Sequence, residues 1–353
     1  MEMRGPRLFP PLATAALFTL LLLLTGCGSG GGRAATARAG GPAGGAPTCD
    51  GAAALCGKRL DQVVFPGTHN SFAAADEPGW YFANQRFGIG RQLDDGIRAL
   101  LLDLHYGVRA PDGLVRTDFS AQGAEANKVV KTFPARARQA AERIAGPLGA
   151  GMPAGEPRLY LCHTLCELGA EPLDRELSRI AAFLGAHPRA FLVLIIEDYV
   201  SAGRVAAAFR TAGLARLAAT LPLHAPQPTL GELLDEGKQL AVFSENRGGD
   251  PAWYMPAFSY IQDTPLGAHR PDQLSCARFR GDPDSPLLLV NYWIPPFPPS
   301  PSLNAAIGRT SFLRHRMRRC VRERGTEGAI VAVDFYQRTS VVRVARELNE
   351  AGD

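Results

Sequence analysis

Gln62-Val63-Val64-Phe65 runs directly into Pro66-Gly67-Thr68-His69-Asn70, an apolar stretch ending in residues that can do chemistry. A short continuous apolar run of this kind suits a strand buried on both faces, as in a parallel sheet covered by helices. The same reading applies to residues 99–104, 159–162, 191–196, 239–243, 287–290 and 329–333. Between them the spacing predicts helices: Leu173, Leu177, Ile180 and Leu184 share one face, as do Leu313, Met317, Cys320 and Val321. Thr229-Leu230-Gly231-Glu232 has the form of a capping box, with Gly237 placed to close that helix. Alternation of strands and helices makes an α/β fold.

The polar residues choose the architecture. His69 and Asn70 follow the first run, Asp103 lies at the end of the second, and His163 closes the third. Glu197 and Asp198 end the fourth, Asn291 follows a later one, and Asp334 ends the last. Functional groups drawn from the C-terminal ends of several strands describe the top face of a (β/α)8-type TIM barrel. An open doubly wound sheet would gather them at one switch point beside a glycine-rich loop, and no G-x-G-x-x-G or P-loop follows a strand here. A distorted barrel is therefore expected.

The N-terminus is set apart from it. Arg4 and Arg7 precede an uncharged Leu/Ala run over residues 13–24, shorter than the roughly 20 residues of a membrane span. It ends in Leu24-Thr25-Gly26-Cys27, which resembles a bacterial lipoprotein signal in which the Cys is lipidated. An ordinary cleaved signal peptide is the alternative. Residues 28–47 are mostly Gly, Ala and Ser and read as a linker. The expected organisation is thus a signal over 1–27, a linker over 28–47 and the barrel domain over 48–353. The protein is expected to be exported and held at a bacterial membrane by Cys27, or else secreted.

Without Cys27, six of the seven cysteines remain, and an oxidising compartment favours pairing them. Nearest-neighbour pairing, Cys49–Cys56, Cys162–Cys166 and Cys276–Cys320, is the expected scheme, although the count alone does not fix it. The net charge of +4 is too small to argue for a nucleic-acid partner. A monomer is expected.

Four segments together resemble the X-domain of phosphatidylinositol-specific phospholipase C, in its secreted, cysteine-containing branch. They are Phe65-Pro66-Gly67-Thr68-His69-Asn70-Ser71, Gly96-Ile97-Arg98 through Leu102-Asp103, Leu161-Cys162-His163-Thr164, and Ile196-Glu197-Asp198-Tyr199. The resemblance implies a PLC-like phosphodiesterase barrel cleaving a phosphoinositide-like phospholipid. His69 would be the general base and His163 the acid that protonates the leaving group, with Asp334 orienting His69. Imidazole suits both tasks because its unperturbed pKa lies nearest neutrality. The competing structural readings are a buried His69 that shapes the first loop, a surface His163 in a disulfide loop, and an Asp334 that caps a helix.

The resemblance also implies a calcium or magnesium site built from Asn70, Asp103 and Glu197, oxygen donors suited to hard cations. Leu101 stands where the family places a further carboxylate, so Asp198 or substrate oxygen would have to help. Glycerophosphodiesters and sphingomyelin are alternative substrates on related barrels. A catalytically inactive cell-surface binding module is the non-enzymatic alternative. His105 and Tyr106 would line the pocket or face solvent, and the arginines from Arg309 to Arg324 form the exposed side of a helix. Tyr292-Trp293-Ile294-Pro295-Pro296-Phe297-Pro298-Pro299 reads either as an aromatic rim for lipid or as a packed connector.

Overall fold

A computed structural model describes residues 48–122, 128, 131, 133–148 and 152–351. The signal segment, Cys27 and the linker to residue 47 lie outside the described residues. In chain order the strands are β1 (Val64–Thr68), β2 (Ala99–Arg109), β3 (Val115–Thr117), β4 (Arg158–Leu161), β5 (Glu171–Pro172), β6 (Leu192–Asp198), β7 (Leu240–Ser244), β8 (Tyr254–Pro256), β9 (Ile261–Asp263), β10 (Leu287–Asn291) and β11 (Ala329–Val333). The sheet runs β8-β7-β6-β2-β1-β11-β10-β9, and every pairing along that path is parallel. Read cyclically, this is chain order: a (β/α) barrel, distorted by a gap between β8 and β9.

The gap has a physical cause. Adjacent parallel strands need a crossover of about a dozen residues or more. Only the four-residue helix Ala257–Tyr260 separates β8 from β9, too short a connection for the two to pair in parallel. Longer helices make several of the other crossings: Leu173–Ala186 before β6, Ala202–Thr211 and Leu230–Asp235 before β7, and Thr310–Arg324 before β11. Thr229 caps its helix by accepting from the Glu232 N–H, and Gly237 takes the left-handed turn after it with φ +73°.

Alternation along the strands divides the core. Phe65, Leu101, Val193, Ile195, Phe243, Leu289 and Ile330 fill the barrel. Val64, Leu102, Leu194, Val242, Val290 and Val331 pack outward beneath the helices. Both faces are apolar, which is why the runs read as continuous.

The expected third strand is placed differently. β4 is not a barrel strand; it lies antiparallel on the second half of β2, with Leu104 opposite Leu161 and Gly107 opposite Arg158. β2 outgrows the barrel after Leu104, where its pairing with β6 ends. Its projecting half carries the β3–β4–β5 layer, and β4 descends toward the mouth, delivering His163 there. The short strands β8 and β9, three residues each, were not legible as apolar runs. The arginine face of Thr310–Arg324 also has an exception: Arg316 is buried and donates to the Leu274 and Ser275 carbonyls at 2.6 Å each.

Disulfides join Cys49 to Cys56, Cys162 to Cys166, and Cys276 to Cys320. The full pairing of the cysteines in the described residues is the state of an exported protein.

Candidate active site

The turn that carries His69 is built from buried polar side chains. Thr68 donates to Gln92 Oε1 at 2.7 Å, and Gln92 Nε2 donates to the Ser71 carbonyl at 2.7 Å. Gln85 Nε2 binds the His69 and Val333 carbonyls at 2.8 and 2.9 Å, joining the turn to β11. Leu101 clamps it from β2: its N–H donates to Ser71 Oγ and its carbonyl accepts from the Ser71 N–H. Asn70 sits at φ +43°, a left-handed conformation that asparagine tolerates better than most residues.

His69 and His163 face each other across the mouth, ring centroids 6.3 Å apart and nearly perpendicular. His69 Nδ1 meets Asp334 Oδ1 at 2.9 Å, and Asp334 is buried. Trp293 stacks flat on His69, centroids 3.8 Å apart with an interplanar angle of 5°. His163 Nδ1 meets Asn70 Nδ2 at 3.1 Å, while Phe133 stands edge-on to its ring. Burial, with His69 and His105 nearby, holds the His163 pKa down to about 3, so its resting ring is neutral. His69, Asp103, His163 and Glu197 line one cleft of about 340 Å³, walled by Trp80, Phe82 and Phe297.

Deeper in the mouth, Asp103 and Glu197 are register partners on β2 and β6. Burial raises the Asp103 carboxyl well above its usual range, and the charges of Glu197 and Glu245 raise it further. Tyr199 donates its hydroxyl to Glu197. Glu245 is fixed from β6, its N–H bonded to the Ile196 carbonyl at 2.8 Å. Burial pushes Glu245 up to about 7 despite Arg280, which donates to it at 2.7 Å and to Asp263 at 2.6 Å.

The donor chemistry fits a hard divalent cation. Asp103 and Glu197 supply oxygens whose mutual repulsion such an ion would relieve, and Asn70 Oδ1 is buried without a hydrogen-bond partner among the described residues. No group of three or more His, Cys, Asp and Glu side chains suited to a metal ion occurs among the described residues. Leu101 faces the mouth with an apolar side chain. Asp198 cannot help, because successive strand residues point to opposite faces and its oxygens are taken by Ser244, Tyr254 and the Asn246 N–H.

One further expectation needs correction, and one open reading resolves. His105 is neither exposed nor part of the pocket lining; it is buried against Tyr199, hydrogen-bonded to Gln122, and pushed down to about 4 by burial. Of the two readings of residues 292–299, the packed connector fits: the Trp293 ring stacks on His69, and Phe297 packs on Phe82 at 4.4 Å. Sequence reading missed Asn84, Glu245 and Arg280. Glu245 lies two residues beyond the apolar run 239–243, close to the signal that pointed to Asp103. Asn84 and Arg280 lie in loops and gave no such signal.

A parallel barrel with histidines and carboxylates at its strand ends defines the class of PLC-like phosphodiesterase folds. The family model described as PI-PLC X 1 matches residues 153–349, and the chain belongs to that family. The matched segment includes His163, Glu197 and Asp334; His69, Asn70 and Asp103 precede it. An "Uncharacterized secreted protein" of Arthroderma benhamiae is 26% identical over 227 residues, covering 62% of this chain and 40% of that protein. This chain thus spans two fifths of that relative's length. "PI-PLC X domain-containing protein 1" of the same fungus is 23% identical over 327 residues, covering 85% and 89%. Among solved structures, phosphatidylinositol-specific phospholipase C of Listeria monocytogenes aligns with TM-score 0.47 at 15% identity, over 84% of this chain and 98% of that one. That of Staphylococcus aureus aligns with TM-score 0.47 at 13% identity, over 82% and 93%.

Proposed function

We propose that the protein is an exported phosphodiesterase of the phospholipase C X-domain type, acting on a phospholipid with His69 as base and His163 as acid. The observation that carries this reading is the pair of rings facing each other across one cleft, His69 backed by a buried carboxylate. In a phosphoinositide-like substrate, His69 Nε2 takes the proton of the attacking hydroxyl, and Asp334 stabilises the imidazolium that results. The hydroxyl oxygen bonds to phosphorus as the bond to the diacylglycerol oxygen breaks. His163, neutral at rest, takes up a proton as the anionic phosphate binds beside it and passes one to this leaving oxygen, and a cyclic phosphate is the first product. Trp293 holds the His69 ring in plane, while Trp80, Phe82 and Phe297 wall the cleft.

Asn70, Asp103 and Glu197 would hold calcium or magnesium, which would neutralise phosphate charge and acidify the attacking hydroxyl when bound. Cys27 would anchor a monomeric enzyme to a membrane through lipid. The test is turnover of phosphodiester lipids by His69→Ala and His163→Ala, each expected to fall at least ~100-fold. Near-native rates in both would overturn the acid–base pair. Glycerophosphodiesters and sphingomyelin in the same screen separate the alternative substrates, and no turnover of any of them would favour a binding module.

A further inference from the structure

We infer that the line Asp334–Asn84–Asn70 holds the two histidines in opposite tautomers: Asp334 leaves Nε2 of His69 bare, and Asn84, acting through Asn70, keeps the hydrogen of His163 on Nε2. An ionised carboxylate only accepts hydrogen bonds. Asp334 Oδ1 takes His69 Nδ1 at 2.9 Å and its Oδ2 takes Asn84 Nδ2 at 3.2 Å. Nδ1 of His69 therefore carries hydrogen, and the other nitrogen of the neutral ring is free to accept. Asn84 is oriented by the same contact: its nitrogen faces Asp334, so its Oδ1 faces Asn70.

That oxygen accepts from Asn70 Nδ2 at 3.2 Å. The second hydrogen of the same nitrogen points to His163 Nδ1, 3.1 Å away. Nδ1 of His163 must then be bare, and its ring hydrogen sits on Nε2. Each assignment forces the next. Turning Asn84 over would set its oxygen against the Asp334 carboxylate; turning Asn70 over would set two amide oxygens face to face.

Bulk water has little access to the line: Asn70, Asn84 and Asp334 are all at most 5% exposed. Asn84 is pinned between the two loops it connects, its N–H bonded to the Ala73 carbonyl and its carbonyl accepting from the Phe335 N–H at 2.8 Å. It is a positioning residue: it reaches both rings only through their neighbours. The functional weight of the inference rests on the acid–base reading above, but its test does not need turnover.

The experiment records long-range proton–nitrogen correlations of the full-length chain carrying ¹⁵N-histidine, at a pH where the rings are neutral. His69→Gln and His163→Gln assign the signals. The expected wild-type spectrum has His69 with hydrogen on Nδ1 and His163 with hydrogen on Nε2. Asn84→Leu should return His163 to a mixture of tautomers while His69, still bound to Asp334, keeps hydrogen on Nδ1. A wild-type His163 with hydrogen on Nδ1 overturns the inference even if the variant fails to fold. So does an unchanged His163 signature in folded Asn84→Leu. Expected tautomers together with undiminished turnover in His69→Ala would leave this inference standing and remove the catalytic reading instead.

Discussion

Asp103 on β2 and Glu197 on β6 stand side by side as register partners, so two carboxylates share one edge of the barrel mouth. Removing one charge should stabilise the protein and disable the proposed ion site together. Asp103→Asn is expected to raise the thermal midpoint in chelator by about 2 °C, in line with about 1 kcal/mol of relieved repulsion. Millimolar calcium or magnesium should raise the wild-type midpoint and leave that of Asp103→Asn unchanged. Thermal melts decide it: a wild-type midpoint indifferent to both ions removes the cation from this site.

Trp293 should matter twice, for packing and for His69. Trp293→Ala opens a void in the barrel and is expected to cost about 3 kcal/mol or more in denaturant unfolding. It also frees the His69 ring, which should lower kcat about tenfold with a smaller effect on KM. Trp293→Phe restores a stacking partner and should recover most of kcat. Equal kcat in the Ala and Phe variants would show that the stack does not orient the ring.

Glu176, on the helix Leu173–Ala186, gives a pH signature away from the candidate site. Burial pushes its pKa up to about 7, with Glu171 and Glu77 raising it and Arg179 and Arg175 opposing. Its Oε2 is buried without a hydrogen-bond partner among the described residues. Because the folded state holds this proton more tightly than the unfolded chain, the group weakens the fold as pH rises from about 4.5 to 7. At about 1.4 kcal/mol per pKa unit the effect is about 3 kcal/mol. Glu176→Gln should flatten that part of the stability–pH curve and raise stability at pH 8; an unchanged slope between pH 5 and 7 would refute it.

Headgroup charge should bias substrate choice. Asp103, Glu197 and Glu245 line the mouth beside Arg280, whose guanidinium is already paired with Glu245 and Asp263. A headgroup bearing extra phosphates would meet net negative charge there. The expected kcat/KM for phosphatidylinositol is at least about tenfold above that of its headgroup-phosphorylated forms, ~1.4 kcal/mol. Faster turnover of the phosphorylated lipids would reverse this assignment.

Much of the architecture was legible because burial on both faces writes a strand as an uninterrupted apolar run. Those at 99–104, 191–196, 239–243, 287–290 and 329–333 all lie in barrel strands to within a residue. β8 and β9 were not, since three residues carry too little periodicity. The run at 159–162 was read as a strand of the wrong kind, because an apolar run does not say whether its partner lies parallel or antiparallel. His69, Asp103, Glu197 and Asp334 were legible as strand-end polar residues. Asn84 and Arg280 were not, because a loop residue declares its partner only after the chain has folded.

What the sequence by itself determined was the parallel α/β frame and the inventory of groups at its upper face. Both follow from local pattern: apolar runs specify buried strands, and polar residues at their ends mark where the apolar core stops. Tertiary structure alone decided how those groups meet. It turned β4 back along the projecting half of β2 to bring His163 opposite His69, laid Trp293 on the His69 ring, and threaded Asp334, Asn84 and Asn70 into one line of hydrogen bonds between the two histidines. The donor–acceptor polarity of that line belongs to no residue separately; it arises when buried amides with one donating and one accepting end are packed where only one orientation satisfies their neighbours.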